Sequence, residues 1–289
     1  MIGAGTLRAV APLVPGEGDG RDEPRFKKAV KFGMVQSGGS IEEKFRLLKD
    51  LGYDGVELDS PSGLDRDEVV RARDEVGLPI HGVVDSVHWR DTLSHADPEV
   101  RARGVAALRT ALHDAKFYGG TSVLLVPASV GKEVSYDDAY QRSQAEIKKV
   151  IPLAEELGID IALENVWNNF LLSPLETARY IDELESERIG AYFDVGNVVR
   201  YGWPEQWVRV LNKRIKKLDI KEYSRKKQVE EGLWKGFDVE LLEGDCDWPA
   251  VMKALREVDF QGWATAEVAG GGVDRLQDIA MRMDRIFAS

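Results

Sequence analysis

The stretch that decides the fold, residues 151–165, reads IPLAEELGIDIALEN. Its first half has apolar residues at helical spacing, and Gly158 suits the left-handed cap that ends many helices. A short apolar run follows at once, which is typical of a buried strand, and it closes on Glu164. The stretch therefore reads as one unit of an α/β fold, which consists of a helix, a glycine, a strand and a terminal acid.

The same unit recurs on both sides of this stretch. Helix-start signals stand at Ser40, at Asp97 before Pro98 and at Ser173 before Pro174. Between such helices, eight short apolar or β-branched runs read as strands. We predict these strands at Lys31–Val35, Asp54–Leu58, Ile80–Val84, Ser122–Val126, Ile159–Glu164, Ile189–Asp194, Ile215–Lys221 and Trp263–Glu267.

Eight alternating units predict a parallel sheet with right-handed crossovers. Their total length of about 260 residues matches a closed barrel. We therefore predict a single (β/α)₈ TIM barrel over residues 26–289, preceded by an N-terminal tail over residues 1–25. A doubly wound open sheet is the alternative, but Gly38-Gly39 stands alone after the first strand, without a nucleotide-binding glycine pattern.

Composition narrows the class of partner. The 50 Asp and Glu residues outnumber the 39 Lys and Arg residues, and the net charge of -11 disfavours nucleic acid. Cys246 is the only cysteine, which excludes an intrachain disulfide and fits a reducing compartment. Without an apolar run of bilayer length, we expect no membrane partner and a cytoplasmic location; a trimmed export signal and a homo-oligomer stay open as alternatives.

Four late strands each carry an acid at or near their carboxyl ends: Glu164, Asp194, Asp219 and Glu267. In TIM barrels these ends meet at the functional face. Four converging carboxylates repel one another unless they are protonated or bridged by a cation, and oxygen ligands suit Mg²⁺ or Mn²⁺. We predict a divalent-metal site here; the alternative is that each acid caps a helix or pairs with a basic residue.

Further polar and aromatic residues follow the predicted strands. Lys221 shares a face with Asp219 and is a candidate to hold a substrate oxygen, or to form a structural salt bridge. His88 and Trp89 follow strand three. His88 is the candidate substrate-binding histidine and Trp89 can support the C–H face of a sugar; packing in the loop is the alternative for both. Glu57 closes strand two and is a candidate to bind a substrate hydroxyl, or to pair with a neighbouring basic residue.

Several stretches together resemble the sugar phosphate isomerase/epimerase family, the xylose isomerase-like barrels that include ketose 3-epimerases. The likeness extends from about Lys31 to Phe287. The stretches that carry it are Tyr53–Leu58, His88-Trp89 with Leu93-Ser94 and Asp97-Pro98, Leu163–Asn165, Phe193–Asn197, and Glu243–Asp245 with Asp247-Trp248.

The resemblance implies that Glu164 and Glu267 are both metal ligands and the catalytic acid/base pair, with Asp194 as a third ligand. Asn165 and Asn197 join the candidate substrate-binding residues. Two positions depart from the family pattern. Asp219 stands where the family usually has a histidine on strand seven, and Asn197 stands where many ketose epimerases have a substrate-binding histidine.

We therefore predict a divalent-metal-dependent epimerase or isomerase of a ketose or sugar phosphate. Proton abstraction next to a carbonyl would give an enediolate that the metal stabilises. A lyase that performs β-elimination on a 3-keto-glycoside with the same metal and glutamate pair is the main alternative. A non-catalytic sugar-binding barrel is a remoter one, and the acidic balance and four histidines disfavour a relative that cuts DNA at abasic sites.

Overall fold

Eight parallel strands close into one barrel in chain order, with β8 paired to β1. The structure, a computed structural model, describes residues 25–289, so the predicted tail lies, except for Arg25, outside the described residues. The predicted (β/α)₈ barrel is confirmed. The strands are β1 Phe26–Lys31, β2 Gly55–Ser60, β3 Ile80–Asp85, β4 Ser122–Leu125, β5 Asp160–Glu164, β6 Ile189–Asp194, β7 Ile215–Ile220 and β8 Gly262–Ala266.

The helices surround the barrel, and several begin at the predicted caps. Ser40 and Glu43 form a reciprocal capping box, while the side chains of Asp97 and Ser173 accept from the first turns of their helices. The helices are α1 Ile41–Asp50, α2 Arg66–Val76, α3 Pro98–Tyr118, α4 Tyr136–Lys148, α5 Ile151–Leu157, α6 Pro174–Asp182, α7 Val195–Val199, α8 Pro204–Leu211, α9 Arg225–Glu231, α10 Trp248–Glu257 and α11 Val273–Phe287. None within residues 25–289 is long and apolar enough to cross a membrane.

The first strand is where the prediction was wrong. It runs over Phe26–Lys31, and the apolar stretch that follows, Phe32–Met34, forms a 3-10 turn. The strand contains the charged pair Lys27-Lys28, yet it is stable because the buried Lys28 ammonium lies 2.6 Å from Asp284 on α11. The shift moves Lys31 from the start of the strand to its carboxyl end, at the mouth of the barrel.

The barrel interior contains a column of hydrogen-bonded polar side chains. Lys217 lies 2.9 Å from His81, whose other ring nitrogen lies 3.1 Å from the hydroxyl of Thr265. Thr265 contacts the Tyr192 hydroxyl at 2.8 Å, and Tyr192 donates to Glu57 at 3.0 Å. Because each group has a partner, the barrel can keep them buried. The column connects the lower barrel to the acids at its mouth.

Candidate active site

The four acids predicted from the strand ends lie together at the mouth of the barrel. One carboxylate oxygen from each lies within 4.8 Å of those from the others. The register of the parallel strands explains the convergence. Asp194 on β6 pairs with Asp219 on β7, and Asp219 pairs with Thr265 on β8, two residues before Glu267. We call this group the carboxylate ring; it consists of Glu164, Asp194, Asp219 and Glu267.

Asp194 is held in place by two asparagines. The side chain of Asn165 donates to the Asp194 carbonyl and accepts from its N–H, both at 2.9 Å. Asp194 Oδ1 accepts from the N–H of Asn197 at 2.8 Å and so caps the short helix α7. Asn197 also donates to the Asn165 carbonyl. Both asparagines, predicted as substrate-binding residues, therefore position a ring acid here, and Asn197 also lines the cavity above it.

Lys31 is a site residue that sequence reasoning missed. Its ammonium lies 3.2 Å from Asp219, 3.3 Å from Glu267 and 3.9 Å from Glu57. Burial opposes its charge, but Asp219 and Glu267 outweigh that effect and raise its pKa well above the usual value. The position of Lys31 depends on where β1 lies, and the misplaced first strand put this residue at the wrong end of the barrel.

Lys221 supplies the second ammonium. It lies 2.8 Å from Asp194 and 3.2 Å from Glu267, so the salt bridge that was one of its two predicted roles is present. If all six groups are ionised, four carboxylates and two ammonium groups leave two negative charges in the ring. This excess has the sign and size that a divalent cation would neutralise.

The two ring glutamates have oppositely shifted pKa values. Burial, reinforced by the nearby Glu267 charge, raises the pKa of Glu164 to about 8. Burial also acts on Glu267, but Lys31 and Lys221 outweigh it and hold its pKa well below the usual value. In the metal-free protein, Glu164 therefore holds its proton much more tightly than Glu267 does.

The ring residues fit a divalent cation. All four donors are carboxylates, the ligand type that hard cations such as Mg²⁺ and Mn²⁺ prefer. Asp219 Oδ1 is buried and has no hydrogen-bond donor within residues 25–289. Burial raises the pKa of both Asp194 and Asp219, which indicates that their negative charges lack full compensation from the protein alone.

A cavity of about 480 Å³ opens above the ring, a size typical of small-molecule sites. Its lining includes Glu164, Glu267 and Lys221, with Trp89 at the rim and 54% exposed. His88 packs edge-on against Trp89 and accepts from the Val126 N–H at 3.3 Å. Burial lowers the pKa of His88 to about 4, so its ring is neutral near pH 7.

Glu57, also predicted to bind substrate, lies below the ring. It is 1% exposed and accepts from Tyr192, and it is absent from the described residues that line the cavity. A larger surface hollow of about 840 Å³ lies at the opposite end of the strands, where Arg188 and Lys216 pair with Asp160. Residues at that end of a barrel usually contribute to stability and not to catalysis.

Glu222 was also missed. It is buried next to Lys221 and accepts from the Trp248 indole at 2.8 Å, the Leu242 N–H at 2.9 Å and the Cys246 N–H at 3.0 Å. The carboxylate thus anchors the loop that follows β7. Its signal was the family-like stretch from Glu243 to Trp248, which the structure folds around it.

A protein-family comparison matches residues 45–285 to the model described as "Xylose isomerase-like TIM barrel". Among curated proteins, an L-ribulose-5-phosphate 3-epimerase of Escherichia coli is 26% identical over 167 residues. That alignment covers 54% of this chain and 59% of the relative, so the chain matches about three-fifths of the length of that enzyme.

Solved structures share the fold across almost the whole chain. A D-tagatose 3-epimerase-like protein has a TM-score of 0.76 at 18% identity and covers 91% of this chain and 97% of its own. The E. coli 3-keto-D-glucoside 4-epimerase has a TM-score of 0.74 at 17% identity, covering 92% and 100%. D-Allulose 3-epimerase from Methylomonas sp., in complex with D-allulose, scores 0.72 at 19% identity, covering 91% and 97%. The closed barrel and the family match together show that this chain belongs to the xylose isomerase-like TIM barrel family.

Proposed function

We propose that the protein is a divalent-metal-dependent sugar epimerase or isomerase, and that Glu267 and Glu164 are its proton-transfer pair. The observation that carries this proposal is the convergence of four strand-end carboxylates, whose oxygens lie within 4.8 Å of one another at the mouth of the barrel. The curated relative that epimerises a ketose phosphate supports the same reaction class.

The two glutamates act from different sides of the substrate, because β6 and β7 separate β5 from β8 around the barrel. Glu267 takes the proton from the carbon next to the carbonyl, and Glu164 returns one to the substrate. If the proton is returned to the opposite face of the same carbon, the configuration of that carbon is inverted. If the proton is returned to the neighbouring carbon, the reaction is an isomerisation. A divalent cation, held by the four ring acids, stabilises negative charge on the substrate oxygen when bound.

The charges around the cavity favour a sugar without a phosphate. Lys221 is the sole cationic residue among the described residues that line it, and its ammonium already pairs with Asp194 and Glu267. Glu222 and Asp238 line the same cavity, so a phosphate dianion would meet net negative charge. We therefore propose a free ketose or a neutral keto-sugar as the substrate.

Proton exchange with solvent tests the proposal. Protein loaded with Mn²⁺ or Mg²⁺ should introduce deuterium next to the carbonyl of a ketose in D₂O, as measured by NMR. Glu164→Gln and Glu267→Gln should each lower the exchange rate about 10²- to 10⁴-fold. Glu257→Gln, which removes a surface ion pair with Arg209, should leave it unchanged. Exchange that survives both ring substitutions would refute the assignment.

A second candidate is a lyase that performs β-elimination on a 3-keto-glycoside with the same pair. The aromatic residues Trp167, Trp234 and Phe237, which line the same cavity, favour the lyase because they offer contacts for a group linked to the sugar. Incubation with a 3-keto-glycoside separates the two functions, since the lyase alone releases the aglycone while an epimerase incorporates deuterium and leaves the glycosidic bond intact.

A further inference from the structure

The cavity continues beyond the ring along an aromatic wall formed by Trp167, Trp234 and Phe237. The ring centroid of Trp167 lies 4.9 Å from that of Trp234 and 4.7 Å from that of Phe237. Trp234 is 67% exposed. Contiguous apolar surface that stands open to solvent in a cavity is a feature of ligand-binding sites.

The wall is held rigidly by the residues behind it. The Trp167 indole donates to the Asn197 carbonyl at 2.8 Å, and the N–H of Asn197 in turn donates to Asp194. Tyr223 packs against both Trp167 and Phe237, and its hydroxyl donates to the Leu233 carbonyl at 2.8 Å. The indole faces are therefore preorganised, so a ligand would not have to order them on binding.

Gly236 shows how closely this segment is fitted. A Cβ at that position would lie 2.3 Å from a carbon of the Tyr223 ring, so only glycine allows the backbone to approach the ring. The contact between Gly236 and Tyr223 keeps the turn Leu233–Phe237 against the barrel, with Trp234 on the outer side of the turn. Trp89, which also lines the cavity, is exposed as well.

We propose that this wall is a second subsite, which holds a neutral ring linked by a glycosidic bond to the sugar at the carboxylate ring. The substrate is then a glycoside. Aromatic faces stack on flat rings, whether these are aromatic or present the C–H face of a sugar. The three side chains of the wall are uncharged, which matches a neutral ring; the Arg200 guanidinium lies 4.9 Å from the Trp167 ring centroid and the Lys221 ammonium 5.5 Å from that of Phe237. The inference rests on the proposed function for the identity of the first sugar, but the wall can be tested by binding alone.

The test compares glycosides that share one glucose unit. Calorimetry with Mg²⁺-loaded protein should find that phenyl β-D-glucopyranoside and cellobiose bind about tenfold more tightly than methyl β-D-glucopyranoside. Trp234→Ala should remove that advantage, while Trp234→Phe should keep most of it. Trp203→Ala is the matched control, because Trp203 is 56% exposed but lies outside the cavity lining.

Equal affinity for the three glycosides, or the same loss in Trp203→Ala as in Trp234→Ala, would overturn the subsite. Circular dichroism of each variant separates lost binding from lost folding, and the Phe variant preserves the ring if the Ala variant unfolds. If Trp234-dependent binding is found without solvent-proton exchange on any keto-sugar, the proposed function fails and the subsite stands. If solvent-proton exchange is found without Trp234-dependent binding, the subsite fails and the proposed function stands.

Discussion

At the scale of single residues, the site depends on how Lys31 and Asp219 balance each other. Asp219 adds a fourth carboxylate to a buried ring, and Lys31 places an ammonium 3.2 Å from it. Removing one partner of a buried ion pair strands the other charge, which is more costly than the pair is stabilising. The two residues therefore form one functional unit.

Lys31→Met should destabilise the metal-free protein by about 3 kcal/mol, because Asp219 and Glu267 lose their nearest shared cation. The same variant should bind Mn²⁺ more tightly, since a positive charge no longer competes for the ring. Urea unfolding in EDTA and calorimetric metal titration measure the two effects. Lys213→Met, at an exposed position, is the control, and weaker metal binding by Lys31→Met would contradict the balance.

Glu164 should make the metal-free protein less stable as pH rises. Its folded pKa of about 8 lies above its unfolded value near 4.3, so the folded state binds more protons between these values. The stabilisation is full below about pH 4.3 and is lost as pH approaches 8. Glu164→Gln should flatten this dependence and raise the unfolding free energy at pH 8 by on the order of 3 kcal/mol. Urea unfolding at pH 5 and pH 8 in EDTA checks it, and parallel pH profiles for both proteins would refute it.

At the scale of elements, sequence signals were reliable where the deciding contacts are local. The helix caps at Ser40 and Ser173 depend on residues three positions away and were predicted correctly. Strand β1 was misplaced because Lys28 is stabilised by Asp284, on the last helix of the chain. No local pattern carries that information.

The difference between local and distant contacts also explains which residues of the candidate site could be predicted from the sequence. The ring acids could be predicted because each lies at or near the end of a strand, which sequence reveals. Lys31 could not, because its position depended on the register of β1 with β2 and β8. Glu222 was missed for a similar reason, since three of its four donors come from the segment Leu242–Trp248, which lies 20 to 26 residues later.

Glu222→Ala should destabilise the protein by about 3–5 kcal/mol, because it leaves the Trp248 indole and two backbone N–H groups buried without an acceptor. Glu222→Gln should cost less, since the amide oxygen can still accept. Chemical unfolding measures both. Glu243→Ala removes only a surface ion pair with Arg282 and is the control; an equal effect there would show that Glu222 does not anchor the loop.

At the scale of the whole molecule, the barrel concentrates unbalanced charge at one end. The chain carries a net charge of -11, and four ionised ring carboxylates would exceed the two neighbouring lysines by two negative charges. A cation bound there stabilises the folded state by mass action, because the unfolded chain has no such ring.

Thermal unfolding should therefore depend on divalent cations. At a Mn²⁺ concentration about 100-fold above Kd, the folded state gains about 2.7 kcal/mol, and Tm should rise by roughly 5 °C relative to protein in EDTA. The double variant Asp219→Asn with Glu267→Gln should lose the shift. A Tm that neither Mn²⁺ nor Mg²⁺ changes at millimolar concentration would exclude the metal site.

The contact between Lys31 and Asp219 also constrains how this barrel can change over generations. A lineage that replaced Asp219 with a neutral ligand would leave Lys31 as an unneeded cation that repels the metal, and one that lost Lys31 first would carry a stranded carboxylate. We therefore expect either single substitution to weaken metal binding or folding. The two positions, 188 residues apart in the chain, should therefore be inherited and exchanged as a pair.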